Sequence, residues 1–160
     1  MDNKEILEKL AYKSKNANSE MGKEERKIML DFCDEYRTFL DNGKTERECV
    51  KEAVKLAEEQ GFVPFKSKEK LSAGDKIYFV NRNKNIMLCV IGTDDVENGL
   101  NVVGSHIDSP RLDLKPNPLY ETDELALFKT HYYGGIKKYQ WTSIPLAIHG
   151  VCYTKDGEKV

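Results

Sequence analysis

No apolar run in this 160-residue sequence approaches the roughly 20 residues that a bilayer crossing requires. Nor does the N-terminus, Met1-Asp-Asn-Lys-Glu-Ile-Leu-Glu-Lys-Leu10, hold the unbroken apolar stretch of a secretory leader, so export is not expected and the chain reads as cytoplasmic. Charge of one sign is also missing. The sequence has 25 basic and 27 acidic residues, net −2. A polyanion binder needs a basic patch, so neither nucleic acid nor a membrane surface is an expected partner. Cysteine pairs at metal-knuckle spacing are absent: Cys33, Cys49, Cys89 and Cys152 stand alone. Disulfides are not expected in a cytosolic chain, and each cysteine has apolar neighbours, so all four read as buried core thiols. There is no Gly-x-Ser-x-Gly elbow for a serine hydrolase and no Gly-x-x-x-x-Gly-Lys loop for phosphate.

What is present begins with helical periodicity. Ile6, Leu7, Leu10 and Ala11 form one stripe over about Lys4 to Ser14. A polar break, Asn16 to Ser19, separates it from a longer helix over about Glu24 to Leu40. There Ile28, Met29, Phe32, Cys33, Tyr36, Phe39 and Leu40 share a broad face. Asn42-Gly43 reads as its C-terminal cap. Thr45 and Glu48 have capping-box spacing at the start of a third helix, which Gly61 stops and whose stripe is Val50, Ala53, Val54 and Ala57.

The pattern then turns to strands. Phe62 to Phe65 is a short one, and Pro64 marks an edge or end. Lys76 to Val80 and Ile86 to Ile91 read as a hairpin. Leu100 to Val103 reads as a buried strand. Lys115-Pro-Asn-Pro118 reads as a rigid link and a domain boundary. Beyond it Leu125 to Tyr133, Tyr139 to Trp141, Ile144 to Ile148 and Val151 to Thr154 all suit strands. Lys155-Asp156-Gly157 reads as a type I′ turn, whose return strand ends at Val160. The expectation from this short return strand is a chain that is cut short.

Chemistry concentrates in Gly104-Ser-His-Ile-Asp-Ser-Pro110, where a strand would give way to a loop. Open α/β sheets place their sites at the carboxyl ends of strands. On extended backbone residues two apart point the same way. Asp108 would then take a hydrogen bond from one nitrogen of His106 while the other binds a metal, which fixes the tautomer and raises ligand basicity. A loop histidine beside a surface carboxylate, with Asp108 capping a turn before Pro110, is the bland alternative. His131 and His149 lack partners at ligand spacing and read as structural or surface residues. The pair Asp94-Asp95 reads as solvated. Arg111 and Lys115 suit either an anionic substrate group or a solvated surface. Tyr132, Tyr133, Tyr139 and Trp141 suit either an interface or a core.

The long run Val103-Gly-Ser-His-Ile-Asp-Ser-Pro-Arg-Leu-Asp-Leu-Lys-Pro116 resembles the first metal-ligand motif of the M18 zinc aminopeptidases. The run from His131 to Thr142, and Pro145-Leu-Ala-Ile-His-Gly150, resemble the bacterial branch of that family. This resemblance implies an α/β fold: N-terminal helices and part of a mixed-sheet zinc-peptidase catalytic domain over 1–115, then the start of a β-rich dimerisation domain over 116–160. It implies His106 as a zinc ligand and Asp108 as the carboxylate that orients it. It also implies two zinc ions per active site, peptide substrates cleaved at their N-terminal residue, and a homo-oligomer. The family's remaining ligands and its general base have no counterpart in this sequence. The chain alone is therefore expected to be inactive, since a catalytic zinc needs about three protein ligands. A non-catalytic scaffold or interaction module is the alternative reading.

Overall fold

A computed structural model describes residues 2–160. They divide into two units, one ending at Thr38 and one beginning at Phe39. The first unit is helical, with α1 (Asn3–Leu10), α2 (Ala17–Glu20) and most of α3 (Lys23–Asn42). The expected first helix stops at Leu10, where Ala11 turns to extended backbone. The polar break contains α2, whose first turn is capped by Asn16: its Oδ1 accepts from the Asn18 N–H at 3.0 Å. The stripe of α3 forms as expected but is not buried. Ile28, Phe32 and Tyr36 stay more than half exposed. Helical periodicity reports which side chains share a face, and not whether anything covers that face.

The second unit starts with a tight α3–α4 turn. Helix α4 (Glu46–Glu59) opens with the expected capping box. Thr45 Oγ1 accepts from the Glu48 N–H at 3.3 Å, and Glu48 Oε2 accepts from the Thr45 N–H at 2.8 Å. Gly43 does not cap α3 through a left-handed backbone. Its role is close approach: a Cβ there would lie 2.8 Å from Cys49 Sγ and 3.1 Å from the Phe39 carbonyl oxygen. The Cys49 thiol donates to the Gly43 carbonyl at 3.2 Å. Cys49, Val50 and Ala57 of α4 are buried together with Ile77, and among the described residues they are the buried apolar side chains.

Alongside α4 lies a mixed sheet in the order β1 (Val63–Pro64), β2 (Lys76–Asn81), β3 (Asn85–Val90). Strand β1 runs parallel to β2, and β2 pairs antiparallel with β3, Ile77 opposite Cys89. The mixed α/β character expected of the chain is therefore present. The β2–β3 turn places Arg82 and Asn83 at φ +52° and +56°. Both angles suit the twist of a tight hairpin.

Several expectations need correction. Leu100 to Val103 forms no strand, and Val103 is 99% exposed. A strand is held by a neighbouring strand that takes its N–H and C=O groups, and a four-residue apolar run carries no information about that neighbour. Lys115–Pro118 is not a link between elements. It lies inside β4 (Arg111–Thr122), which pairs antiparallel with β5 (Leu125–Tyr133). The register shifts between Leu114, opposite Thr130, and Leu119, opposite Phe128. The surplus residues on β4 include Pro116 and Pro118, which have no N–H to give the ladder. The connecting turn, Asp123-Glu124, takes φ +52° and +62° without a glycine.

Tyr139 to Trp141 is part of a helical turn, α5 (Lys138–Trp141), and Ile144 to Ile148 is irregular. Val151 to Thr154 contributes only an isolated bridge, Tyr153 to Lys159. At its turn Gly157 alone has positive φ, +83°, so the turn is not type I′. The cysteines also differ from expectation. Cys49 is buried and Cys89 half-buried, whereas Cys33 and Cys152 are exposed. No helix among the described residues is long and apolar enough to cross a membrane.

Candidate metal centre

His106 lies in the irregular segment between β3 and β4, not at the end of a strand. The i, i+2 relation to Asp108 nevertheless holds. His106 Nδ1 is 3.2 Å from Asp108 Oδ1 and 2.8 Å from the Asp108 carbonyl oxygen. Both neighbours are acceptors, so Nδ1 carries the proton in the neutral ring. That leaves Nε2 as a bare lone pair on a side chain 83% exposed. Asp108 is better covered, at 31%. Its other oxygen, Oδ2, accepts from the Tyr133 hydroxyl at 2.5 Å.

Tyr133 stands at the end of β5 directly opposite Arg111, the first residue of β4. The Arg111 guanidinium carbon sits 4.2 Å from the centre of the Tyr133 ring. This is the stacked geometry of a cation over an aromatic face. Arg111 is in turn held by Asp113, whose Oδ1 accepts from Nε at 2.8 Å, and by Glu46 of α4, 3.3 Å from Nη1. A continuous run of contacts thus joins the first turn of α4 to the His106 ring. The Tyr133 hydroxyl is the main cause that holds the Asp108 carboxyl below the usual carboxylate range. Its own backbone and the charges of His106 and Arg111 assist, against a smaller desolvation cost. Reciprocally, the Asp108 carboxylate pushes the Tyr133 phenol up.

His131 and His149 are not brought to this site. His131 stacks on Tyr132, with ring centres 5.2 Å apart. His149 Nδ1 lies 3.1 Å from Glu48 Oε1, so the carboxylate that closes the capping box also ties down a residue 101 positions later. Burial, the largest single influence on Glu48, raises its pKa. The His149 and Thr45 hydrogen bonds together outweigh it, and the net shift is downward. A carboxyl lowered in the fold stabilises it above the unfolded pKa, and that contribution is lost as pH falls through the folded value. The unfolded reference is 4.5, so the loss begins below it. The expected result is a denaturation midpoint that falls more steeply with acidification below pH ~4.5 in the wild-type chain than in Glu48→Gln. Urea titrations across that range check it.

As a donor set the site fits one corner of a zinc centre: a bare imidazole nitrogen, exposed, with its second nitrogen engaged by a carboxylate. Among the described residues no group of three or more His, Cys, Asp or Glu side chains gathers to hold a metal. His106 would be the protein's ligand and Asp108 its orienting group. Zinc bound there would supply Lewis-acid polarisation and a more acidic water. The sequence pattern alone does not bring Tyr133, Asp113 or Glu46 to this site, and it offers Arg111 either as a contact for an anionic substrate group or as a solvated surface residue. The signal that would have found Tyr133 is hairpin register, because a strand starting at Arg111 and turning at Asp123-Glu124 puts Tyr133 across from it.

Residues 39–160 match the family model described as aminopeptidase I zinc metalloprotease (M18). The chain belongs to the M18 aminopeptidase family. A relative from Borrelia garinii, named as a probable M18 family aminopeptidase 1, is 46% identical over 148 residues, which are 92% of this chain and 32% of that protein. The crystal structure of aminopeptidase I from Borrelia burgdorferi superposes with a TM-score of 0.86 at 45% identity, over 91% of this chain and 36% of that one. The M18 aminopeptidase from Thermotoga maritima gives 0.84 at 48%, over 93% and 32%. The chain thus spans about a third of the length of these relatives, and the M18 match begins at Phe39, where the second unit begins.

Proposed function

We propose that these residues serve a zinc aminopeptidase by supplying one zinc ligand, His106, and its orienting carboxylate, Asp108. The observation that supports this reading is the bare Nε2 of His106, backed by Asp108 and the Tyr133 hydroxyl, inside a segment that matches the M18 model. The substrates would be peptides, from which the enzyme removes the N-terminal residue. The centre would hold two zinc ions, His106 being one of their ligands, and the metal would supply Lewis-acid polarisation and a more acidic water. The remaining ligands and the general base would come from sequence outside these 160 residues. Residues 1–115 would belong to the catalytic domain and 116–160 would open the β-rich dimerisation domain, in a cytoplasmic homo-oligomer.

The test is zinc-dependent release of an aminoacyl reporter. The 160 residues alone are expected to be inactive, because one imidazole cannot hold a catalytic zinc. The longer polypeptide, encoded by an open frame that supplies further Asp, Glu-Glu and His ligands downstream, is expected to be active and to lose activity to a chelator. An active 160-residue chain, or a longer chain that neither binds zinc nor cleaves the reporter, would refute the proposal.

A further inference from the structure

Asp108 has two carboxylate oxygens and only one faces His106. The other is engaged from a different element by the Tyr133 hydroxyl, 2.5 Å away. The two ends of this arrangement differ in how firmly they are held. His106 lies on an irregular and exposed segment, and among the described residues its ring is held by Asp108, through the carbonyl at 2.8 Å and Oδ1 at 3.2 Å. Tyr133 is paired within the β4–β5 ladder, and its ring is clamped by the Arg111 guanidinium at 4.2 Å. Arg111 is only 29% exposed and is fixed from two sides, by Asp113 and by Glu46. Within the site the hairpin end is therefore held by more contacts than the loop, and the carboxylate joins the two.

We infer that Tyr133, clamped by Arg111, is a positioning residue for the metal centre: its hydroxyl fixes the Asp108 carboxylate, and through it the ring of His106. This rests on the reading of His106 as a zinc ligand. The chemistry is specific to the hydroxyl. A phenol donates one hydrogen bond to Oδ2 and so stops the carboxylate rotating about its terminal bond, whose rotation is soft. With Oδ2 held, Oδ1 stays in the plane that meets Nδ1–H. Without it, Nδ1–H keeps the Asp108 carbonyl, 2.8 Å away, and loses the charged partner that raises the basicity of Nε2. The loss on removing the hydroxyl is therefore partial and falls on the metal, not on the fold.

The experiment compares Tyr133→Phe, Tyr139→Phe and His106→Ala in the longer zinc-binding polypeptide. Zinc affinity is read by chelator competition, and stability by thermal melting of the zinc-free protein. Tyr133→Phe keeps the ring under Arg111 and is expected to weaken zinc binding about tenfold with little change in melting. Tyr139→Phe, which removes a hydroxyl from an exposed ring elsewhere, is expected to change neither. A second readout is metal-free: histidine 15N spectra of the zinc-free protein are expected to show His106 as the Nδ1–H tautomer, with a larger Nε2–H fraction in Tyr133→Phe. If His106→Ala abolishes tight zinc binding and Tyr133→Phe binds as the wild type does, the positioning role is wrong. If His106→Ala leaves zinc binding intact, the ligand reading is wrong, and the tautomer comparison still decides the positioning role, an unchanged tautomer overturning it. Should Tyr133→Phe fold poorly, Arg111→Met leaves the hydroxyl but frees the ring. It is expected to shift the tautomer in the same direction by less, and no shift would overturn the role.

Discussion

On the proposed reading of His106 as a zinc ligand, replacing it by alanine is expected to abolish tight zinc binding by the longer polypeptide and, with it, the proposed release of N-terminal residues. The magnitude follows from which bond to the metal the substitution deletes. Removing an outer partner of a metal-bound histidine costs about 10–100-fold in affinity, and removing the ligand itself must exceed that. Asp108→Asn supplies the graded comparison. It keeps an oxygen acceptor but removes the charge that faces Nδ1, at 3.2 Å in the wild type. Its expected loss is the 10–100-fold of an outer partner. Metal content per chain, measured beside affinity, separates the two: His106→Ala falls in content, whereas Asp108→Asn falls in affinity at similar content. Equal losses for both variants would mean that Asp108 is itself a ligand and not an orienting group.

Gly43→Val is expected to be the most damaging substitution to the fold outside the site. Even a bare Cβ at this position would meet Cys49 Sγ at 2.8 Å and the Phe39 carbonyl at 3.1 Å. The first of these atoms belongs to a buried thiol and the second to helical backbone, so neither moves cheaply. Overpacking of this kind costs about 1–3 kcal/mol, and valine, with two further methyl groups, belongs at the upper end. The mechanism is checked by a double-mutant cycle in urea. Cys49→Ala removes the sulfur that a Cβ would strike, so Gly43→Ala is expected to cost less in that background than alone. Costs that simply add would show that the clash with the Phe39 backbone dominates.

The parts of the fold that could be read from residues were those fixed by local rules. The Thr45–Glu48 box needs two side chains three positions apart, and it forms where expected. The β2–β3 hairpin rests on two adjacent β-rich runs and needs no distant partner. What escaped was set by distance. Leu100 to Val103 has the composition of a strand without a neighbour to pair with, and Tyr139 to Trp141 closes a helical turn despite its β-prone residues. Pro116 and Pro118 looked like breaks, yet a bulge absorbs both within β4. The Asp123-Glu124 turn is not legible because it has no glycine and one of its left-handed angles falls on Glu124, a residue type that seldom adopts them. At the site, His106 and Asp108 were legible because two residues at i and i+2 meet through their own backbone. Tyr133 was not, since 25 positions separate it from the carboxylate it serves. The Glu48–His149 pair, 101 positions apart, was hidden for the same reason.

The β4–β5 hairpin is a sheet of only two strands, unlike the three-stranded sheet beside α4. A ribbon of that kind is marginal by itself in water. Amide hydrogens along it should therefore exchange with deuterium through local opening, well before those of β2 around Ile77 and Tyr78, where β1 and β3 flank it. Tyr133 rides on the less protected ribbon. The environment of His106 would then loosen under mild heating or low denaturant while the helix-backed sheet is still intact, so that metal-site order and global melting become separable events.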